Sequence, residues 1–239
     1  MKYTFSNLFF LILLVSCSAP KKDMRVTVEV KGLKKGALYL ERVQDSVLLA
    51  VDSILVDREE AVVLQANLEH PELFYILLDK NQTDDIDNRI PFFGQSGEIS
   101  IQTTLDDYVT KAEISGSPTH EIYNAYLRII RQFNNEELDL YASYIKAQIS
   151  DNADSLALVE QQTASLSKRK ILFTVNFAVN NANSVIAPYL ALSDLSVIPK
   201  SLLDTIAASM SENVANSRYG KLFTGYLSDL ENLAETPIP

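Results

Sequence analysis

Reactive side chains are scarce in this sequence. It holds one cysteine, Cys17, and two histidines, His70 and His120. No Gly-x-Ser-x-Gly elbow and no Cys-x-x-Cys pair occurs, so neither a hydrolase nucleophile nor a dithiol centre is written in a local motif. Positive charge is thin as well. Twenty-one Lys and Arg stand against 31 Asp and Glu, a formal charge of −10. That balance disfavours a nucleic-acid partner, because phosphate binding needs concentrated Lys and Arg. The one basic run, Lys168-Arg169-Lys170, falls inside a helical pattern and reads as a solvated helix face. Internal repeats and low-complexity tracts are absent too. With 47% hydrophobic residues the chain can nevertheless bury a proper core, which excludes global disorder.

The first residues read as an address. Lys2 supplies a small positive region, the apolar run Leu8–Val15 follows, and Ser16-Cys17 closes it. The run is far short of the roughly 20 residues that span a bilayer, and it suits the short core of an export signal. Leu14-Val15-Ser16-Cys17 resembles a lipobox, in which cleavage before the cysteine follows attachment of diacylglycerol to its sulfur. Residues 1–16 are therefore expected to be a lipoprotein signal peptide, Cys17 the lipidation site, and 17–23 a polar tether. Each buried methylene contributes about 0.8 kcal/mol, so two or three acyl chains hold a protein on a membrane essentially for good. With Cys17 so consumed, the folded body has no thiol for a disulfide, a redox centre or a zinc–thiolate site. Ser18 stands where an aspartate would argue for inner-membrane retention, and no acidic pair follows Cys17. The expected location is the outer membrane of the cell envelope, on its periplasmic face, with the cell surface as the alternative.

About 215 residues remain after the tether, enough for one large domain or two small ones. The first half reads as strands. Val26, Val28 and Val30 alternate with Thr27, Glu29 and Lys31, the period-2 pattern of a half-buried strand. Gly32 to Gly36 makes a turn, and alternation resumes through Leu38 and Leu40. Further β-rich runs cover 48–56, 61–68, 73–78, 90–93, 99–103 and 112–115, separated by turn chemistry such as His70-Pro71 and Gly94-Gln95-Ser96-Gly97. Short strands at this spacing predict an antiparallel β-sandwich or open barrel over 24–116.

The second half switches to helical periodicity. Ser117-Pro118 reads as an N-cap with proline in the first helical position. Ile122, Tyr123, Tyr126, Leu127, Ile130 and Phe133 recur at three- and four-residue steps, and Asn134-Asn135 is expected to end that helix. Leu138, Tyr141, Ile145 and Ile149 mark a second, and 154–181 a long third with Asp154 as its cap. Shorter helices are expected over 184–193 and 199–211, and a last one over 217–233. The fold class is thus α+β: a β-sandwich or open barrel followed by a helical region over 117–235, with 236–239 as a tail.

Several segments are similar to one family. They are Val28-Glu29-Val30-Lys31-Gly32-Leu33-Lys34-Lys35-Gly36-Ala37-Leu38-Tyr39-Leu40, Val51-Asp52-Ser53, Pro71-Glu72-Leu73-Phe74-Tyr75, Phe92-Phe93-Gly94-Gln95-Ser96-Gly97-Glu98-Ile99 and Ile114-Ser115-Gly116-Ser117. They resemble the N-terminal domain of unknown function of Bacteroidetes thioredoxin-like (thiol-disulfide interchange) lipoproteins. Asn183-Ser184-Val185-Ile186-Ala187-Pro188-Tyr189 and Ser217-Arg218-Tyr219-Gly220-Lys221 resemble segments of its helical part. Two departures stand out. The family's usual Asp-Gly hairpin turn is replaced by Asp57-Arg58-Glu59, and the sequence reaches Thr236-Pro237-Ile238-Pro239, which looks like the start of the family's linker, without a Cys-x-x-Cys domain. One cysteine attacks and the other resolves in such a pair, so the resemblance carries no redox activity here. It does suggest a thioredoxin-like protein as a partner.

Weighed singly, the chemical candidates are weak. His70 before Pro71 and His120 in a first helical turn read as surface or capping residues, not ligands. Asp79, Asp84, Asp85 and Asp87 with Asn88 lack the spacing, turn glycine and distal glutamate of a calcium loop, and read as a solvated hairpin tip. Asp45-Ser46-Val47, Asp52-Ser53-Ile54, Asp154-Ser155-Leu156 and Asp204-Thr205-Ile206 resemble the Asp-Ser/Thr-aliphatic acceptor of O-glycosylation in exported Bacteroidetes proteins, so Ser46, Ser53, Ser155 and Thr205 are candidate modification sites. Tyr123, Tyr126, Tyr141 and Tyr226, beside Leu and Ile at helical spacing, read as core. No catalytic residue, metal or cofactor is expected. The function expected is a non-enzymatic envelope module that binds a protein or ligand. The alternatives are the accessory half of a split thiol-disulfide system and a glycan-binding lipoprotein.

Overall fold

The computed structural model describes residues 23–44, 46–79 and 88–235. Among these, eight strands come first: β1 (Met24–Lys31), β2 (Lys35–Gln44), β3 (Val47–Asp57), β4 (Ala61–Ala66), β5 (Glu72–Asp79), β6 (Arg89–Gly94), β7 (Gly97–Thr104) and β8 (Glu113–Ser115). Six helices follow: α1 (Pro118–Ile149), α2 (Ala153–Asn180), α3 (Ile186–Ser193), α4 (Lys200–Ser209), α5 (Glu212–Ala215) and α6 (Arg218–Glu235). The class is α+β. The strands form two four-stranded sheets, ordered β4-β1-β7-β8 and β3-β2-β5-β6, that make an unclosed sandwich.

One pairing departs from the antiparallel pattern: β1 and β7 run parallel, Met24 opposite Gly97 through Lys31 opposite Thr104. Parallel neighbours need a long excursion between them. Here the chain lays β4 on the other edge of β1 and completes the second sheet before β7 pairs with β1. Alternation supplies the sandwich core, with Val26, Val28, Leu38, Leu40, Leu64, Phe74, Ile76, Phe92, Ile99 and Ile101 all buried against one another.

Strands β5 and β6 break the alternation for a reason. Phe74, Ile76, Leu78, Ile90 and Phe92 face the sandwich interior. Leu73 and Phe93, opposite each other in the register, instead pack with Tyr126, Ile130, Val185, Ile186 and Leu190. These strands are covered on both faces, so their sequence is continuously apolar. A further helical core joins Val175, Ala178, Ala187, Leu195, Leu203, Ile206 and Phe223.

The step from sheet to helix sits on Gly116 and Ser117. Gly116 has φ +84°, and a Cβ there would stand 2.3 Å from the Glu98 carbonyl oxygen, so only glycine makes this turn. Ser117 caps α1: its Oγ accepts the His120 N–H at 3.1 Å and donates to the Phe93 carbonyl at 2.6 Å. The expected cap is therefore present, and it also bonds the helix to β6.

Three helical expectations are corrected. Asn134-Asn135 does not end a helix, because α1 runs unbroken from Pro118 to Ile149. Asparagine costs a helix only a fraction of a kcal/mol, roughly 0.7 at most, and contacts with α2 override it. Lys170 Nζ donates to Asn134 Oδ1 at 2.8 Å, and Arg169 pairs with Glu136. The cap of α2 is Asn152, whose side chain accepts the Ser155 N–H, while Asp154 lies in the first turn. Tyr141 is exposed, as are Leu138 and Ile149, because the α1–α2 hairpin buries one side of each helix only and this stripe lies on the other. Among the described residues no helix is long and apolar enough to cross a membrane.

Candidate functional site

A cleft of about 660 Å³ opens at one end of the sandwich. Its walls come from the residue before β1 (Asp23), the end of β2 (Arg42, Gln44), the β4–β5 loop (Leu68, Glu69, His70), the first residue of β5 (Glu72) and the first turn of α6 (Arg218, Lys221).

Glu72 organises this cleft. It lies in phase with Phe74, Ile76 and Leu78 on the inward face of β5, and its side chain is only 9% exposed. A carboxylate in such a place must be paired. Arg42 Nη1 donates to one oxygen at 3.0 Å and Arg218 Nη1 to the other at 2.8 Å. Arg42 stands opposite Phe74 in the β2–β5 register, hence diagonal to Glu72. Arg218 arrives from α6, which the neighbouring Tyr219 also fastens: its hydroxyl accepts the Leu73 N–H at 3.1 Å. Burial pushes the Tyr219 phenol up to about 12, so it remains protonated at neutral pH. One carboxylate thus ties two guanidiniums on two separate elements.

A smaller cavity of about 380 Å³ lies between α1, α2 and the end of α3. There Tyr126 donates to Asp194 and lies 3.2 Å from Thr174 Oγ1. Burial, reinforced by the Asp194 contact, raises the Tyr126 phenol. A phenol held protonated is a structural donor, not a base or a nucleophile.

The remaining sequence candidates are scattered. Cys17 lies outside the described residues, as do Asp84, Asp85 and Asp87. Ser46 is exposed in the β2–β3 turn at φ 66°. Ser53 is exposed on β3, and its neighbour Asp52 accepts the Ser53 N–H and, across to β4, the Gln65 N–H at 2.8 Å. Ser155 is half-buried in the first turn of α2, and exposed Thr205 donates its hydroxyl to the Ser201 carbonyl within α4. His70 borders the cleft. His120 is buried, which corrects the surface reading: Nδ1 accepts the Phe93 N–H at 3.4 Å. Tyr126 is core as expected, Tyr123 is half-buried beside it, and Tyr226 is half-buried against the other helical core. Among the described residues no group of three or more His, Cys, Asp or Glu is arranged to hold a metal.

Arg42, Glu72 and Arg218 are the residues that sequence reading missed. One signal was available: a glutamate in phase with the apolar face of a strand.

Comparison with known families assigns the sheet half of the chain. Residues 24–123 match the model of a domain of unknown function, DUF4369. The matched segment holds the whole sandwich and the first turns of α1, and it includes Arg42 and Glu72 but not Arg218. No curated protein matches the chain.

Proposed function

We propose that this chain is a non-catalytic binding module of the cell envelope, tethered to the outer membrane by acyl chains on Cys17, with the cleft at the sandwich mouth as its ligand-facing surface. The Arg42–Glu72–Arg218 clasp carries this reading. Arg42, Glu72 and Arg218 are engaged with one another on three rigid elements, an arrangement suited to holding a ligand in fixed geometry. Proton transfer or nucleophilic attack instead asks for a base poised against a reactive hydroxyl or thiol.

The tether follows from the lipobox-like Leu14-Val15-Ser16-Cys17. Mass spectrometry of the protein from native membranes tests it: an N-terminal peptide beginning at diacylated Cys17 is expected, and an intact leader would refute the anchor. Crosslinking and capture from envelope membranes tests the binding role. A thioredoxin-like protein among the captured partners would favour the accessory role in thiol-disulfide interchange that the sequence resemblance suggests, and a glycan array tests the carbohydrate alternative. Robust turnover in a broad hydrolase and reductase screen would overturn the non-catalytic assignment.

A further inference from the structure

We infer that the cleft is a site for a carboxylate carried on an apolar body, with Arg42 and Arg218 as its anchors; this deepens the binding-module reading and rests on it. A guanidinium has five N–H donors in a planar fork. Arg42 and Arg218 each give Glu72 only Nη1. Their other donors have no partner among the described residues, and the two side chains are 31% and 39% exposed, open to the cleft. Glu72 holds the two forks at fixed positions, so a ligand need not order them.

Charge selects the kind of anion. The lining balances formally, with Arg42, Arg218 and Lys221 against Glu72 and the exposed Asp23 and Glu69. With no net field to draw a dianion, a singly charged planar oxyanion matches the fork geometry, whereas a phosphate dianion meets three carboxylates.

Register selects the rest of the ligand. Leu49 stands opposite Arg42 and Val47 opposite Gln44 in the β2–β3 pair. Opposite residues share a sheet face, so these side chains extend the wall that Arg42 and Gln44 form. They are 43% and 58% exposed, an apolar strip without cover leading out of the charged mouth. Buried Leu68 adds an apolar side to the cleft. A fatty acid and the C-terminal carboxylate of an apolar peptide share this chemistry, and about 660 Å³ admits either.

Calorimetric titration of the full-length protein at fixed ionic strength tests the site, using N-acetyl-Val-Leu as free acid, the same dipeptide as amide, hexanoate and inorganic phosphate. Saturable binding of an acid is expected, with amide and phosphate at least about tenfold weaker. Tighter binding of the dipeptide acid assigns the site to a peptide terminus, and tighter binding of hexanoate assigns it to a fatty acid. Arg218→Lys keeps the charge beside Glu72 but removes the fork, and should weaken the acid about tenfold. Leu49→Asp, on an exposed strand outside the clasp, should weaken it as well and reports on the site even if Arg218→Lys fails to fold. Absence of saturable acid binding, equal binding of the amide, phosphate as tight as the acid, or acid affinity indifferent to Leu49→Asp would each overturn the inference. Unlipidated Cys17, or turnover in the enzyme screen, would sink the functional reading while leaving this site intact.

Discussion

At the scale of single residues, two buried polar groups fix how the sheets meet the helices. Glu72→Gln removes the charge that two guanidiniums share. An exposed ion pair contributes under about 1 kcal/mol, and breaking a fully buried one costs about 3–5 kcal/mol. The arginines here are about one-third exposed and can partly rehydrate. The expected loss is about 2 kcal/mol, read from urea denaturation midpoints. His120 supplies a pH dependence. Burial lowers its pKa from the ordinary 6.5, and its Nδ1 can accept the Phe93 N–H only when unprotonated. As pH falls through about 6.5 the unfolded chain takes up this proton and the folded one does not. The stability His120 contributes is therefore complete above that value and is lost as pH falls through the lower, folded pKa. Urea midpoints measured from about pH 7.5 down to about pH 5 should decline, and His120→Asn should flatten the decline.

At the scale of elements, packing decides what propensity leaves open. Two glycines of α6 make the contrast. Gly225 is exposed with nothing within 4 Å of where a Cβ would stand, whereas a Cβ on Gly220 would lie 2.1 Å from the Val214 carbonyl oxygen and 2.5 Å from that of Ala215. Alanine is the better helix former by about 0.8–1 kcal/mol. Gly225→Ala should therefore raise stability by about that amount, and Gly220→Ala should lower it by more than 1 kcal/mol, because α5 must move away. Thermal melts of the two variants should shift in opposite directions. The same contrast explains what was readable in the helices. Ser117-Pro118 is a local signal and was legible as a cap. The unbroken run through Asn134-Asn135 depends on Lys170 and Arg169 of α2, which no window around residue 134 contains. The glutamate in phase with apolar β5 positions marks Glu72 as a buried charge. Its second partner, Arg218, is 146 residues away, and no sequence spacing announces that.

At the scale of the whole molecule, Phe93 joins the sheets to the helices. It is fully buried, with its ring against Tyr123, Tyr189 and Tyr219 at centroid distances of 5.1, 5.0 and 6.3 Å. Phe93→Ala should cost about 3–5 kcal/mol. It should also split a single calorimetric transition into two, since Phe93, with Leu73 beside it, makes the apolar contact between the sheet and the helices. An unsplit transition in this variant would mean that the clasp and the α1 cap suffice to couple them. Periodicity in the sequence by itself determined the α+β class, the strand positions and most helices, because alternation and helical spacing are properties of neighbours along the chain. Only the tertiary structure decided the parallel β1–β7 pair, the double burial of β5 and β6, and the cleft with its two-arginine clasp. Each of these depends on which distant segments come together, and that is set by the packing of whole faces against one another.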